Sequence, residues 1–130
     1  MKRELTTHKV NGLNEALQIQ VLDDPGQGNA CHKYLIVPPI PADQLPDTLV
    51  CYGGYPINFQ NGPIKEVGVN GISNEALLAI VRDRLEGFQS GPYACVANAI
   101  ALAAVTKAME SLHSRTKERV ERGVEGTHTI

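Results

Sequence analysis

The segment SNEALLAIVRDRLEGFQSGPYACVANAIALAAVTKAMESLHSRTKERVE, residues 73–121, decides the fold of the C-terminal half. Its first part carries apolar residues at helical spacing, which would form one stripe along a helix. The members of this stripe are Leu77, Val81, Leu85 and Phe88. The spacing predicts an amphipathic helix that packs on a neighbouring element.

Signals at the ends of this helix define a helical hairpin. Ser73 is a good N-cap, and Glu75 in the first turn complements the helix dipole. Ser90-Gly91-Pro92 ends the helix, and a second helix is predicted over 94–121, where no Gly or Pro interrupts the chain. This second helix would be about 42 Å long at a rise of 1.5 Å per residue. It is also rich in alanine, which allows close helix packing and favours assembly with a second copy.

The first seventy residues show strand patterns instead. Leu17, Ile19 and Val21 alternate with polar residues, as in a half-buried strand. A second strand is predicted over 31–37, before a pair of prolines, and a third over 49–52.

Asn61-Gly62 is a residue pair favoured in tight hairpin turns, so residues 57–60 are expected to pair with 64–67. The predicted fold class is α+β, with an N-terminal small antiparallel β region followed by a C-terminal αα-hairpin with one long helix. The expected domains are residues 1–72 and residues 73–130, the latter forming the oligomerising and ligand-binding part.

The amino-acid composition indicates an oligomer and argues against one class of binding partner. The chain has 130 residues, a formal net charge of −2, no Trp and 5% aromatic residues. A core with so few large side chains is often completed by a second copy, which predicts a homo-oligomer. The slightly acidic balance argues against long nucleic acid as a partner, since binding it usually requires a broad basic surface.

The sequence gives no support for a membrane protein, a secreted protein, a zinc protein or an enzyme. No apolar run is long enough to span a bilayer, and the start at Met1 lacks the apolar stretch of a signal peptide, so a cytoplasmic protein is expected. The three cysteines, Cys31, Cys51 and Cys95, lack zinc-site spacing. No catalytic motif is recognisable. We therefore expect a binding protein that is not an enzyme and has neither metal nor cofactor.

The last turns of the long helix carry a candidate anion site. Arg115, Arg119 and Arg122 lie at i, i+4 and i+7, so they share one helix face. Guanidinium groups are suited to phosphate oxygens and stay charged at any relevant pH. Ordinary surface ion pairs are the open alternative, since Glu118 lies four residues before Arg122.

Two further residues have alternative interpretations. Phe88 ends the apolar stripe, so it could belong to the core or could stack on a nucleobase at the hairpin bend. Asn98 is a polar residue in an alanine-rich surface, where it could support a polar network or hydrogen-bond a ligand.

The C-terminal half resembles the hairpin domain of the bacteriophage anti-Thoeris sponges and of the related anti-CBASS sponges. These proteins sequester nucleotide signals of bacterial immunity without degrading them. The resemblance is closer to the anti-Thoeris branch, which has a β region ahead of the hairpin. It rests on the segment 88–95 (FQSGPYAC), on Asn98, Arg115 and Arg119, and on the segment 122–127 (RGVEGT).

The resemblance implies roles for individual residues. Phe88 would stack on the adenine or a sugar face of a cyclic ADP-ribose isomer, and Asn98 would hydrogen-bond it. Arg115 and Arg119 would clamp the pyrophosphate, while Arg122 matches the pattern without an assigned role.

The resemblance also implies a ligand and an assembly. The ligands would be glyco-cyclic ADP-ribose isomers made by TIR-domain enzymes, bound between two subunits in the cytoplasm of the infected host. Assembly stays open between a homodimer and a trimer of dimers (hexamer), and some members also hold cyclic di- or trinucleotides. The alternatives are a cyclic-nucleotide phosphodiesterase and a phage structural or oligomerisation protein without a small ligand.

Overall fold

A computed structural model of the protein describes residues 3–130, with Gln27 described by its backbone alone. The chain divides into two compact units. Of the described residues, the first unit contains 3–61 together with 70–72, and the second contains 62–69 together with 73–130.

The first unit is built on a four-stranded antiparallel sheet, which confirms the predicted β region. Its strands follow chain order, and each pairs with the next. Val21 in the second strand pairs with Tyr34 and is fully buried, so it lies at the centre of the small core. The strands are β1 (Arg3–Leu5), β2 (Gln18–Val21), β3 (Lys33–Val37) and β4 (Tyr55–Asn58).

Asp23 holds the chain that connects β2 to β3. Its carboxylate accepts hydrogen bonds from the backbone N–H of His32 (2.9 Å) and of Lys33 (3.1 Å). Partial desolvation raises the pKa of Asp23, but these hydrogen bonds and the charge of His32 lower it by more. The net pKa lies below its ordinary value, so the carboxylate stays ionised and keeps its partners.

Two short helices also belong to this unit, and one of them corrects a prediction. Helix α1 (Gly12–Ala16) begins at Asn11, whose side chain accepts a hydrogen bond from the Asn14 N–H at 3.1 Å. Residues 49–52, predicted as a strand, instead belong to helix α2 (Asp47–Val50) and the turn after it. Pro46 cannot donate to a strand ladder, and Asp47 in the first turn favours a helix start.

The predicted pairing of residues 57–60 with 64–67 is also wrong. Residues 64–67 form the helical turn α3 (Ile64–Val67), which begins after Pro63 and ends at Gly68 with a positive φ of 73°. Phe59 instead forms a parallel bridge with Ile72. The Asn-Gly pair therefore leads into a helical turn and not into a returning strand.

The second unit contains the predicted helical hairpin. Helix α4 spans Asn74–Gln89 and helix α5 spans Val96–Glu121, a continuous run of 26 residues. The Ser73 hydroxyl accepts from the Ala76 N–H at 3.1 Å, which confirms the predicted N-cap. Cys95 is the N-cap of α5.

The two helices pack along one seam and leave several large apolar side chains exposed. Leu77 and Leu85 of the predicted stripe are half-buried, whereas Val81 and Phe88 are 44% and 38% exposed. Across the seam, the Arg82 Nε donates to the Thr106 hydroxyl at 3.0 Å. The other large apolar residues of the two helices that are exposed are Ile80, Val96, Ile100 and Val120.

Within residues 3–130 we find no helix with both the length and the apolar character needed to cross a membrane.

Gly54 provides a test of the sheet packing. A Cβ at this position would lie 2.3 Å from the Ile36 carbonyl oxygen, so the backbone of β3 would have to move. We expect Gly54→Ala to lower the free energy of unfolding by about 1–3 kcal/mol in urea denaturation. Gly12→Ala is the control, because no atom lies within 4 Å of its added Cβ. Equal stability of the two variants would contradict this packing.

Candidate ligand-binding site on the helical hairpin

At the bend of the hairpin, two side chains, Arg84 and Tyr93, lie against the Phe88 ring. The Arg84 guanidinium carbon lies 5.4 Å from the centre of the Phe88 ring, within the range of a cation–π contact. The Tyr93 ring stands perpendicular to it, with 6.3 Å between ring centres. Because Phe88 is 38% exposed, part of its ring remains available for stacking.

Asn98 supports the bend from the first turn of α5. Its Nδ2 donates to the Tyr93 carbonyl at 3.4 Å, and its backbone N–H donates to the Cys95 sulfur at 3.4 Å. The Gln89 side-chain oxygen accepts from the Cys95 N–H at 3.0 Å and closes the turn. No donor to the Asn98 Oδ1 is found among residues 3–130, so this oxygen can accept a hydrogen bond from a ligand.

Arg115 lies near the other end of α5 and is exposed. Among residues 3–130 its guanidinium has no hydrogen bond and no ion pair. It therefore retains its full capacity to bind an anion.

Arg119, one turn further on, is in a different environment. It is only 7% exposed and is the buried charged residue of the described chain. Its Nε donates to the Glu125 carboxylate at 3.1 Å. The remaining contacts are to carbonyl oxygens of the chain after α5: Thr129 at 2.6 Å, Val124 at 3.0 Å and Thr127 at 3.3 Å.

Arg122 is exposed and has partners of its own. Its Nη1 lies 3.2 Å from the Glu118 carboxylate, and its Nη2 donates to the Ile130 carbonyl oxygen at 2.8 Å. The alternative interpretation, that the arginines form ordinary surface ion pairs, therefore holds for Arg122 but not for Arg115. The three arginines share a helix face, yet their guanidinium groups differ in availability.

The chain after α5 is a structural element that sequence reasoning missed. We call residues 124–130 the tail. It also contacts residues of α3, because the Lys65 N–H donates to the Gly126 carbonyl at 3.1 Å and His128 lies 2.9 Å from Glu66. Arg84 was missed as well, although its position four residues before Phe88 places both on one helix face.

The predicted residues form two separate groups. Phe88 and Asn98 both contact Tyr93 at the bend, whereas the arginines lie at the far end of α5. From Asn98 to Arg115 the helix rises about 26 Å, which is more than a small nucleotide can span. One chain therefore does not bring the two groups together.

The described residues 3–130 contain no group of three His, Cys, Asp or Glu side chains that could hold a metal ion.

Comparison with known proteins identifies the class. The family model for the Acb2/Tad1 hairpin domain matches residues 56–117, which include the bend and Arg115. The chain is also 37% identical over 121 residues to Thoeris anti-defense 1 of Bacillus phage SBSphiJ7, an alignment that covers 81% of this chain and 84% of the relative. The chain therefore belongs to the Thoeris anti-defense 1 family of phage counter-defence proteins.

The different environments of two arginines give a stability prediction. Arg119→Ala removes a buried guanidinium that donates to four residues of the tail, and it should lower the free energy of unfolding by about 1.5–3 kcal/mol. Arg115→Ala removes an exposed side chain without partners and should change it by less than about 0.5 kcal/mol. Urea denaturation measures both values, and amide exchange should show lost protection in the tail only for Arg119→Ala. Equal effects would contradict the burial of Arg119.

Proposed function

We propose that this protein binds and sequesters immune signalling nucleotides, namely the glyco-cyclic ADP-ribose isomers produced by TIR-domain enzymes of Thoeris, and that it releases them unaltered. Membership of a phage counter-defence family supports this proposal. So does the presence of a stacking aromatic, Phe88, and an unpartnered guanidinium, Arg115, on one hairpin. The proposed place of action is the cytoplasm of the infected bacterial host.

The observation that carries the proposal is the separation of the two groups along α5. If they bind one small ligand, the bend of one copy must lie beside the arginines of another. A two-fold pairing of antiparallel hairpins satisfies this requirement and creates two identical sites. The exposed apolar residues Ile80, Val96 and Ile100 are available to be buried in such a homodimer.

Each group would then have a chemical role. Phe88 stacks on the base, a contact of about 1–3 kcal/mol by alanine substitution. The Asn98 Oδ1 accepts a hydrogen bond from an amino or hydroxyl group of the ligand. From the partner copy, Arg115 binds the pyrophosphate as a bidentate donor, Arg119 adds its remaining donor capacity, and Arg122 lies at the edge.

A second binding activity belongs to the same proposal. Assembly of the dimers into a trimer of dimers would create separate pockets for cyclic di- or trinucleotides. The resemblance to the sponge families is the support for this step.

A complementation experiment tests the shared site. Asn98→Ala and Arg115→Ala should each weaken the binding of a glyco-cyclic ADP-ribose isomer in calorimetry. The expected loss of binding free energy is about 2–5 kcal/mol for Arg115→Ala and smaller for Asn98→Ala. A mixed dimer of the two variants, purified by two different tags after co-expression, contains one intact site and should bind one ligand per dimer.

The control for that experiment is a mixed dimer of two differently tagged Arg115→Ala chains, which has no intact site. If the dimer of the two different variants also fails to bind, the site is formed within one chain and the proposed arrangement is wrong.

The fate of the ligand separates binding from catalysis. We expect chromatography of the heat-denatured complex to return the ligand with its mass and retention time unchanged. Recovery of a linear or hydrolysed product would instead indicate a phosphodiesterase. A protein that binds none of the isomers or cyclic oligonucleotides would indicate a purely structural role for the hairpin.

A further inference from the structure

The donors of Arg119 are almost completely occupied within the chain. A guanidinium group has five N–H donors, of which one is on Nε and two are on each Nη. The Nε donates to Glu125, and Nη2 donates to the carbonyls of Val124 and Thr127. The Nη1 donates to Thr129, which leaves one N–H free.

These partners fall into two sets that differ in their attachment to α5. The partners of Nε and Nη2 belong to the compact turn directly after the helix. That turn is closed by hydrogen bonds from the Val124 N–H to the Arg119 carbonyl and from the Thr127 N–H to the Val124 carbonyl, at 3.0 and 3.1 Å. It is therefore tied to the helix that carries Arg119.

The partner of Nη1 lies further along the tail. Residues 128–130 are exposed, and their side-chain contact to α3 is the pair between His128 and Glu66, whose side chains are 48% and 53% exposed. Exposed ion pairs contribute little to stability. Among the described residues, the other contacts of this segment are two exposed hydrogen bonds, from the Arg122 Nη2 to the Ile130 carbonyl and from the Thr129 N–H to the Thr127 hydroxyl. Because all of these contacts are open to solvent, this end of the tail can separate from Arg119 while the turn stays in place.

We propose that Glu125 is a positioning residue for Arg119: it fixes the Nε edge so that Nη1 is the edge offered to a ligand phosphate, whose oxygen replaces the Thr129 carbonyl. This inference rests on the proposed nucleotide binding and assigns the role of Arg119 within it. A phosphate oxygen is the stronger acceptor, because its negative charge adds ionic attraction to a hydrogen bond whose donor is already charged. With Thr129 displaced, Nη1 has both of its N–H groups available.

The position of Glu125 fits this role. Its carboxylate balances a guanidinium that is buried and would otherwise be costly to desolvate. The Glu125 side chain is itself 39% exposed, so it lies at the margin of the buried group. It acts on the ligand only through the orientation of Arg119.

A double-mutant cycle with a glyco-cyclic ADP-ribose isomer as the probe tests the assignment. Glu125→Ala should weaken binding about tenfold in the otherwise native chain, since it removes a hydrogen bond to a charged group. Glu125→Gln keeps an acceptor oxygen and should recover most of the affinity. In the Arg119→Lys background, which has no Nε–H, Glu125→Ala should have no further effect.

The control is Glu121→Ala, which removes an exposed carboxylate close to Arg119 in the chain and should leave affinity unchanged. If Glu125→Ala weakens binding equally in both backgrounds, Glu125 acts independently of Arg119 and the inference is overturned. A chain that binds no probe in its native form overturns the proposed function itself, and the two failures are thereby distinguished.

Displacement of Thr129 has a kinetic test of its own. Deletion of residues 128–130 removes the competing carbonyl and leaves the Thr127 oxygen in place, and amidation of the new C-terminus avoids adding a carboxylate beside Arg119. We expect the association rate constant for the probe, measured by stopped flow, to rise severalfold, and to be unaffected by the deletion in an Arg119→Ala chain. A rate constant that is unchanged or lower in the otherwise native chain would overturn the displacement step.

Discussion

The length of α5 is the constraint on which the rest of the account depends. The helix has 26 residues without an internal Gly or Pro, so its hydrogen-bond ladder keeps its two ends about 39 Å apart. The aromatic and amide groups lie at one end, and the arginines lie at the other. No rearrangement of side chains can close that distance, so a ligand that uses both groups requires a second copy of the hairpin.

The second determinant is the cost of burying a guanidinium group. Arg119 is tolerated in a dry environment because the tail supplies carbonyl oxygens and the Glu125 carboxylate. The same contacts give the tail a fixed path after the helix. Arg115, only one turn away, remains exposed and without such partners. Arg119 therefore stabilises the tail, whereas Arg115 remains available to bind an anion.

The parts of the fold that depend on local sequence patterns could be predicted from the sequence. The hairpin follows from apolar spacing, the Ser73 cap and the break at Ser90-Gly91-Pro92. Short apolar runs were less informative, because residues 49–52 and 64–67 fit a strand as well as a helical turn. In both cases a proline precedes the run, and the chain forms a helical turn after it. The burial of Arg119 and the role of Glu125 could not be predicted, since they depend on how the tail folds back and not on spacing.

The most direct test of the central claim is a distance between two copies. Spin labels would be placed at Ala97→Cys in one copy and Lys117→Cys in the other, in a chain whose Cys31, Cys51 and Cys95 are replaced by serine. Within one chain these positions are about 30 Å apart along α5. The account predicts that the distance between copies is much shorter, because the bend of one lies beside the arginines of the other. A distance between copies of 30 Å or more, with ligand bound, would contradict it.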